Sequence, residues 1–288
     1  MTYLDHINAC NNFASVGYRP FLIGGARSGW VRNQFAERLK EWPDYFLVEK
    51  TVVSLHSRLK DFDSRSEAVK EPLRELTKEN YIEAWRDEMY PVTADWHTHP
   101  SMQIERAACP YFGIRAYGVH MNGFVRKSDG IYMWVARRDP TKKTYPGLLD
   151  NMVAGGQPIG LGLLENLAKE SEEEAGIPPE LAYQAMPVSL ISYTHLMPER
   201  PKGGVKPDQM FCYDLEVPED FEPVPVDGEV ESFQLMPITD VATIVRDSFD
   251  FKFNCNLVII DFLIRHGIIS PDNDSDYAAI AQGLRSGE

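Results

Sequence analysis

Positive charge is scarce in this chain of 288 residues: 29 Lys and Arg stand against 43 Asp and Glu, for a net charge of -14. A surface that coats nucleic acid needs basic stripes, so that class is excluded. Cysteine is scarce too. Cys10, Cys109, Cys212 and Cys255 are widely scattered with no C-x-x-C pair, which argues against a disulfide framework or a zinc site and for reduced thiols. No apolar run is long enough to span a membrane, and no basic segment followed by an apolar one opens the chain, so a cytoplasmic protein is expected. Composition lacks the bias of disordered proteins, and the length gives ample core for one large domain or two smaller ones. Phosphate-loop patterns are missing as well: Gly24-Gly25-Ala26-Arg27-Ser28-Gly29 has neither the spacing G-x-x-x-x-G-K-[ST] nor G-x-G-x-x-G, and reads as a turn before a helix over Trp30 to Trp42.

What the chain does have is a dense acidic turn behind a glycine loop, GGQPIGLGLLENLAKESEEEAGI, from Gly155 to Ile177. Helical spacing puts Glu170, Glu173 and Glu174 on one face, at i, i+3 and i+4, and Leu164, Leu167, Ala168, Ser171 and Ala175 on the other. Like charges at that spacing repel, and anions near a helix C-terminus oppose the macrodipole. Two local rules broken in one turn point to a functional site. Clustered carboxylates suit a hard divalent cation, magnesium first and manganese second. The ordinary alternative is a solvated acidic face. Gly176-Ile177-Pro178-Pro179 closes the helix as a C-cap followed by proline should.

This arrangement resembles the Nudix box, G-x5-E-x7-R-E-U-x-E-E-x-G-U, where U is bulky and apolar. Gly155 matches its first glycine, Glu170 the glutamate after the arginine, Glu173 and Glu174 the pair, and Gly176-Ile177 the ending. Leu161 stands where the box has its first glutamate, Lys169 replaces the arginine, and Ser171 replaces the apolar residue. The resemblance continues through YGVHMNGFV, MWVARR, TKKTYPGLLDNMVAGG, DGEVESFQLMP and FNCNLVIIDFLIRHG. There the chain looks like Nudix proteins related to the Nudix part of fungal thiamin pyrophosphokinases. It implies an α/β (α+β) protein, a Nudix α/β/α sandwich with an N-terminal α+β accessory domain. It also implies a magnesium-dependent diphosphatase converting thiamin diphosphate, or its oxidised oxo and oxy forms, to the monophosphate. The alternatives are hydrolysis of a nucleoside diphosphate derivative such as NADH or ADP-ribose, and a catalytically silent Nudix fold that binds a ligand.

Residues 1–110 carry no strong chemical motif and read as the accessory domain, with the Nudix domain over 111–270 and a polar, mobile tail over 271–288. In the first part, helices are expected over residues 2–14 and, as a pair, over Ser64 to Glu88, with a strand over Phe46 to Leu55. In the second, a hairpin turns at Lys127-Ser128-Asp129-Gly130, strands follow around Val188 to Thr194, Met210 to Val217 and Ser232 to Met236, and helices over Asp240 to Arg246 and Asn256 to His266 close the unit.

By resemblance Glu170, Glu173 and Glu174 hold the metal, with Glu170 and Glu173 catalytic, Lys169 beside them, and Glu229 or Glu231 adding a later carboxylate as ligand or general base. Arg137, Arg138, Lys142 and Lys143 form a rare basic cluster before the box; with Gly155 and Gly156 they are the candidate diphosphate contacts. The loop from Pro198 to Gln209, with Arg200, Lys202 and Lys206, is a candidate specificity loop. His97 and His99 share a strand face but lack a third ligand, so a structural or substrate-contacting role is expected rather than zinc. Tyr117, Tyr132 and Trp134 are candidates for stacking on substrate. The expected partner is a small-molecule diphosphate, with no nucleic acid and no membrane, and the assembly is left between monomer and homodimer.

Overall fold

The structure is a computed structural model that describes residues 1–197 and 204–287. In the expected loop over Pro198 to Gln209, Arg200 and Lys202 lie outside the described residues.

The chain opens with α1 (Tyr3–Cys10), started by a capping box on Thr2 and Asp5 and buried on Tyr3, His6, Ile7 and Cys10. β1 (Tyr18–Ile23) and β2 (Ala26–Arg32) make a hairpin through Gly24 and Gly25, both at positive φ. The helix expected from Trp30 therefore starts later, as α2 (Asn33–Leu39), because Trp30 and Val31 still pair with β1. The single strand expected over 46–55 is a second hairpin, β3 (Phe46–Val48) and β4 (Val53–Leu55). The polar Glu49-Lys50-Thr51 cannot stay in a buried strand, and the Glu49 amide closes the turn on the Val52 carbonyl at 2.9 Å. One helix replaces the expected pair: α3 (Phe62–Lys78) starts at the Asp61 cap. After it come β5 (Met89–Val92), β6 (Met102–Glu105), a 3-10 turn over Arg106–Ala108 and α4 (Cys109–Phe112). A sheet in the order β2-β1-β4-β3, with α2, α3 and α4, encloses a core around Phe21, Phe35, Leu76 and Phe112.

The second sheet is larger. β7 (Ala116–Lys127) and β8 (Gly130–Arg138) form the expected hairpin, followed by the short β9 (Leu149–Asp150) and β10 (Val153–Gly156). α5 (Leu163–Ala175) and α6 (Pro179–Ala182) lead to β11 (Met186–Leu196), β12 (Val205–Glu216) and β13 (Val230–Pro237). α7 (Ile238–Asp247), α8 (Cys255–Arg265) and α9 (Tyr277–Gly283) complete the chain. Strand order is β11-β12-β7-β8-β13, with β10 added outside β7 and β9 against β8. Alternation along β7 sends Val119 and Met121 to one face and Phe124 to the other. α5 covers the first face through Leu167, Ala168 and Ala175; α7 and α8 cover the second. Leu257, Val258, Ile259, Ile260, Phe262 and Leu263 of α8 are fully buried, each worth about 1.5–3 kcal/mol against exposure. The layers are the α/β/α sandwich that the resemblance implies, preceded by an α+β unit.

Two expectations about the ends change. α1 packs on the second sheet's helices: Tyr3, Ile7 and Cys10 belong to the core beneath α7 and α8, and the Tyr3 hydroxyl donates to the Ala242 carbonyl at 3.0 Å. The polar tail over 271–288 is not loose. Its Ile280 and Leu284 are fully buried in the same core, and the Gly287 amide reaches the Ser192 carbonyl at 3.1 Å. A few apolar positions spaced i, i+3, i+7 were enough to anchor a segment whose average composition is polar.

Candidate active site at the edge of the central sheet

α5 is where the sequence put it. Gly162 caps its start, with the Glu165 carboxylate accepting from the Gly162 amide, and Gly176 at φ 62° closes it in the left-handed conformation. The glutamates do not share one environment. β10 is an edge strand paired only with β7, so its outward amides need acceptors. Glu174 turns to that edge and accepts the Ala154 N–H at 3.0 Å, leaving the residue only 8 % exposed. Burial, reinforced by Asp150, Glu170 and Glu229, pushes its carboxyl well above the ordinary range. Glu170 lies flat on Gly155: a Cβ there would sit 2.4 Å from the Glu170 Cδ, so only glycine admits this carboxylate. Burial raises the Glu170 carboxyl as well, against the opposing charge of Lys169.

Glu173 is exposed and pairs with Lys169 at 2.6 Å, while the same ammonium stands 3.4 Å from Glu170. Among the described residues no group of three or more His, Cys, Asp or Glu side chains converges as a ligand set. The expected triad of Glu170, Glu173 and Glu174 is thus not assembled as one cluster. The physical reason is that Lys169 draws Glu173 outward while the β10 edge draws Glu174 in. Glu170 and Glu174 still fit a divalent cation: both carboxyls lie against the β10 edge and are raised by burial, a cost that a bound cation would offset.

A cavity of about 240 Å³ opens beside this edge, between the sheet and the N-terminal unit. Its floor is small: Ala116 and Gly118 of β7, Ala154 and Gly156 of β10. Arg138, Lys142, Gly155, Gly156 and Glu229 line it as candidate contacts should; Arg137, Lys143 and Glu231 do not. Arg137 is exposed and donates to the Gly147 carbonyl at 2.9 Å, because strand alternation turns it away from Arg138. Lys142 pairs with Glu229, holding that carboxyl low against the effect of burial. The Arg138 guanidinium donates to the Tyr145 and Thr144 carbonyls, each at 3.0 Å, and to Asp150 at 2.8 Å. Burial would raise the Asp150 carboxyl, but Lys252 and Arg138 outweigh it and hold it down at about 2.

The N-terminal unit supplies the far wall, though not through the expected residues. His97 and His99 are exposed and line no part of the cavity, and Tyr132 and Trp134 are likewise outside it; Tyr117 does line it. Instead Tyr90 of β5 and Arg106 enter, and a Cβ on Gly156 would fall 1.7 Å from the Tyr90 hydroxyl. Arg106 pairs with Glu88 at 2.7 Å. The turn carrying Ala84 and Arg86 into the wall is strained, with Ala84 at φ 61° and Asp87 at φ 58°. The buried Glu105 carboxylate holds it by accepting the Arg86 and Glu88 amides at 2.9 and 3.2 Å.

Two buried amides hold the loop before α5, which carries Leu161. Gln157 and Asn166, both fully buried, clamp it: Gln157 Nε2 donates to the Leu161 carbonyl and Asn166 Nδ2 to the Gly156 carbonyl, each at 2.8 Å. These residues, like His120, Asp150, Tyr90 and Arg106, were missed in the sequence. For His120 a signal existed: His120 and Asn122 are polar residues at i, i+2 inside an apolar strand.

Burial, with Lys252, pushes the His120 imidazole down to about 4. Between roughly pH 6.5 and pH 4 the unfolded chain then binds more protons than the folded one, so this stability is present above the window and lost as pH falls through it. His120→Gln is expected to flatten that slope, read as a smaller Tm difference between about pH 7 and pH 5 than the parent shows.

A family profile described as NUDIX domain matches residues 116–256, and one described as Domain of unknown function (DUF4743) matches residues 2–116. The chain is 41 % identical over 295 residues to Nudix hydrolase 20, chloroplastic, of Arabidopsis thaliana, covering 99 % of this chain and 78 % of that protein. With Nudix hydrolase 24, chloroplastic, of the same plant it shares 39 % identity over 290 residues, at coverages of 99 % and 78 %. Among solved structures it is similar to DR0079 from Deinococcus radiodurans, with 19 % identity and a TM-score of 0.41 over 61 % of this chain and 98 % of that one. Both plant relatives are chloroplastic by name, which overturns the cytoplasmic expectation.

Proposed function

The chain belongs to the Nudix hydrolase family, and from that premise we propose that it cleaves the diphosphate of a small heterocyclic compound, thiamin diphosphate or its oxidised forms first, releasing the monophosphate and phosphate. The observation that carries this reading is the cavity beside the β10 edge. Its roughly 240 Å³ falls below the 300–1,000 Å³ usual for drug-sized ligands. A small two-ring compound suits that volume better than a dinucleotide. The longer resemblance of YGVHMNGFV and FNCNLVIIDFLIRHG to thiamin-related Nudix proteins supports the same substrate.

Residue roles follow from position. Glu170 and Glu174 would hold a divalent cation such as magnesium, which Nudix proteins use. That ion would supply charge neutralisation and water activation. Arg106 and Lys252 bring positive charge to the diphosphate, while Arg138, fixed by its three hydrogen bonds, orients it. Glu229, held ionised by Lys142, is positioned to accept a proton. Tyr90 and the β5–β6 hairpin exclude water from the far side. Purified protein with magnesium is expected to turn thiamin diphosphate into monophosphate and inorganic phosphate faster than it cleaves NADH or ADP-ribose. Efficient cleavage of the dinucleotides with inert thiamin diphosphates would transfer the case to them, and no turnover of any would leave a binding protein.

A further inference from the structure

A chain of buried side-chain hydrogen bonds runs beneath the cavity floor and ends at His120. Arg265 donates to both oxygens of Asp214. A carboxylate has only acceptors to offer, so Asn122 must turn its amide nitrogen toward Asp214, at 3.1 Å. That leaves the Asn122 oxygen to accept from Asn151 Nδ2, also at 3.1 Å, and the Asn151 oxygen to accept from His120 Nδ1 at 2.9 Å. Each amide has one workable orientation, so the proton sits on Nδ1 and Nε2 is left with its lone pair. His120, Asn122, Asn151 and Asp214 are each 8 % exposed or less, which keeps the chain free of competing water.

His120 lines the cavity, and its neighbour across the ladder is Ala154, the residue whose amide serves Glu174. Asp208 lines it too, one strand further from the glutamates, paired in register with Ala116. The Oδ2 atom of Asp208 accepts from the Tyr193 hydroxyl at 2.9 Å and pairs with Lys206 at 2.8 Å. Its Oδ1 is buried and has no hydrogen-bond partner among the described residues. Strand order β12-β7-β10 thus runs from an unpartnered carboxylate oxygen, past an imidazole lone pair, to the phosphate end.

We infer that His120 is a specificity-determining residue, presenting Nε2 as a fixed acceptor that, with Asp208, selects diphosphates whose organic part is a heterocycle bearing an N–H or NH2 donor. The inference rests on the diphosphatase reading for the phosphate end alone. A ligand without a donor leaves the buried Asp208 Oδ1 without a partner and offers His120 nothing to accept, which weakens its binding. Burial also keeps the imidazole neutral and so an acceptor at working pH.

The test pairs kinetics with ring-nitrogen NMR of the full-length protein. The probes are thiamin diphosphate, which carries an amino group, and benzyl diphosphate, an aromatic diphosphate with no N–H. His120→Leu is expected to lower kcat/KM for thiamin diphosphate about 10- to 100-fold, chiefly through KM, with benzyl diphosphate unchanged within about twofold. Equal losses on both probes, or no loss on thiamin diphosphate, overturn the inference. In the unsubstituted protein the 15N spectrum must show His120 protonated at Nδ1, and 4-aminopyrimidine alone must shift its Nε2 resonance. A proton on Nε2, or no shift, overturns it even where the leucine variant fails to fold. If neither diphosphate is cleaved, the proposed function fails, and the NMR result still decides the role of His120.

Discussion

Glu174→Gln is expected to lose hydrolysis by about a hundred- to a thousandfold while melting at a higher temperature than the parent. The two effects have one cause. Glu174 is buried beside Asp150, Glu170 and Glu229, and its carboxyl is pushed well above the ordinary range. A carboxyl with a raised folded-state pKa holds its proton more tightly in the folded chain than in the unfolded one. Ionising it as pH rises therefore costs stability, and at neutral pH the folded protein bears that strain. Glutamine keeps an oxygen for the Ala154 amide, removes the charge, and with it removes both the strain and the affinity for a cation. Glu174→Ala separates the parts: it loses the hydrogen bond, opens space at the β10 edge, and should not share the gain in Tm. Paired melting curves and rates with magnesium decide the matter. A glutamine variant that keeps full turnover, or melts lower, would remove Glu174 from the site.

Asp150→Ala should behave in the opposite way. The carboxylate is 5 % exposed and sits between Arg138 at 2.8 Å and Lys252 at 3.7 Å, with the Cys255 thiol donating to its other oxygen at 2.6 Å. Its folded pKa, held at about 2, makes the stability it contributes fully present above about pH 4 and lost as pH falls toward 2. Alanine leaves two cations facing each other across a buried gap, a loss of about 3–5 kcal/mol. For a chain of this size that corresponds to a Tm lower by roughly 10 °C. Asp150→Asn, which retains the contacts to the Asn151 amide and Cys255, should fall between the two. Urea denaturation gives the number directly, and a loss for alanine below about 1 kcal/mol would show the cations to be served by water instead.

The glutamate helix, its closing Gly176, the β7–β8 hairpin and the closing helices α7 and α8 were legible in the sequence alone. Each is set by contacts between residues a few positions apart: apolar spacing along α5, the Glu165 carboxylate accepting from the Gly162 amide, a turn at Ser128-Asp129, a glycine beyond the last turn. Where short-range signals conflicted, as at Phe46 to Leu55 and Trp30, local pattern predicted one element where pairing partners made two. The site's chemistry divides along the same line. Glu170 and Glu174 announce themselves by breaking local rules, and Gly155 by its spacing before them. Asp150, Arg106 and Tyr90 break no local rule, and the polar His120 and Asn122 in an apolar strand mark a position without revealing its partner; each acquires its role from a residue far along the chain. Asp150 meets Cys255 and Asn122 meets Asp214 across separations of 105 and 92 residues. Which amide must donate, which carboxylate is neutralised and which imidazole nitrogen faces the cavity depend on strand register and burial. Both are set only when the sheet closes and water leaves, since hydrogen-bond direction and charge carry little energy in the solvated chain and several kcal/mol in the packed one.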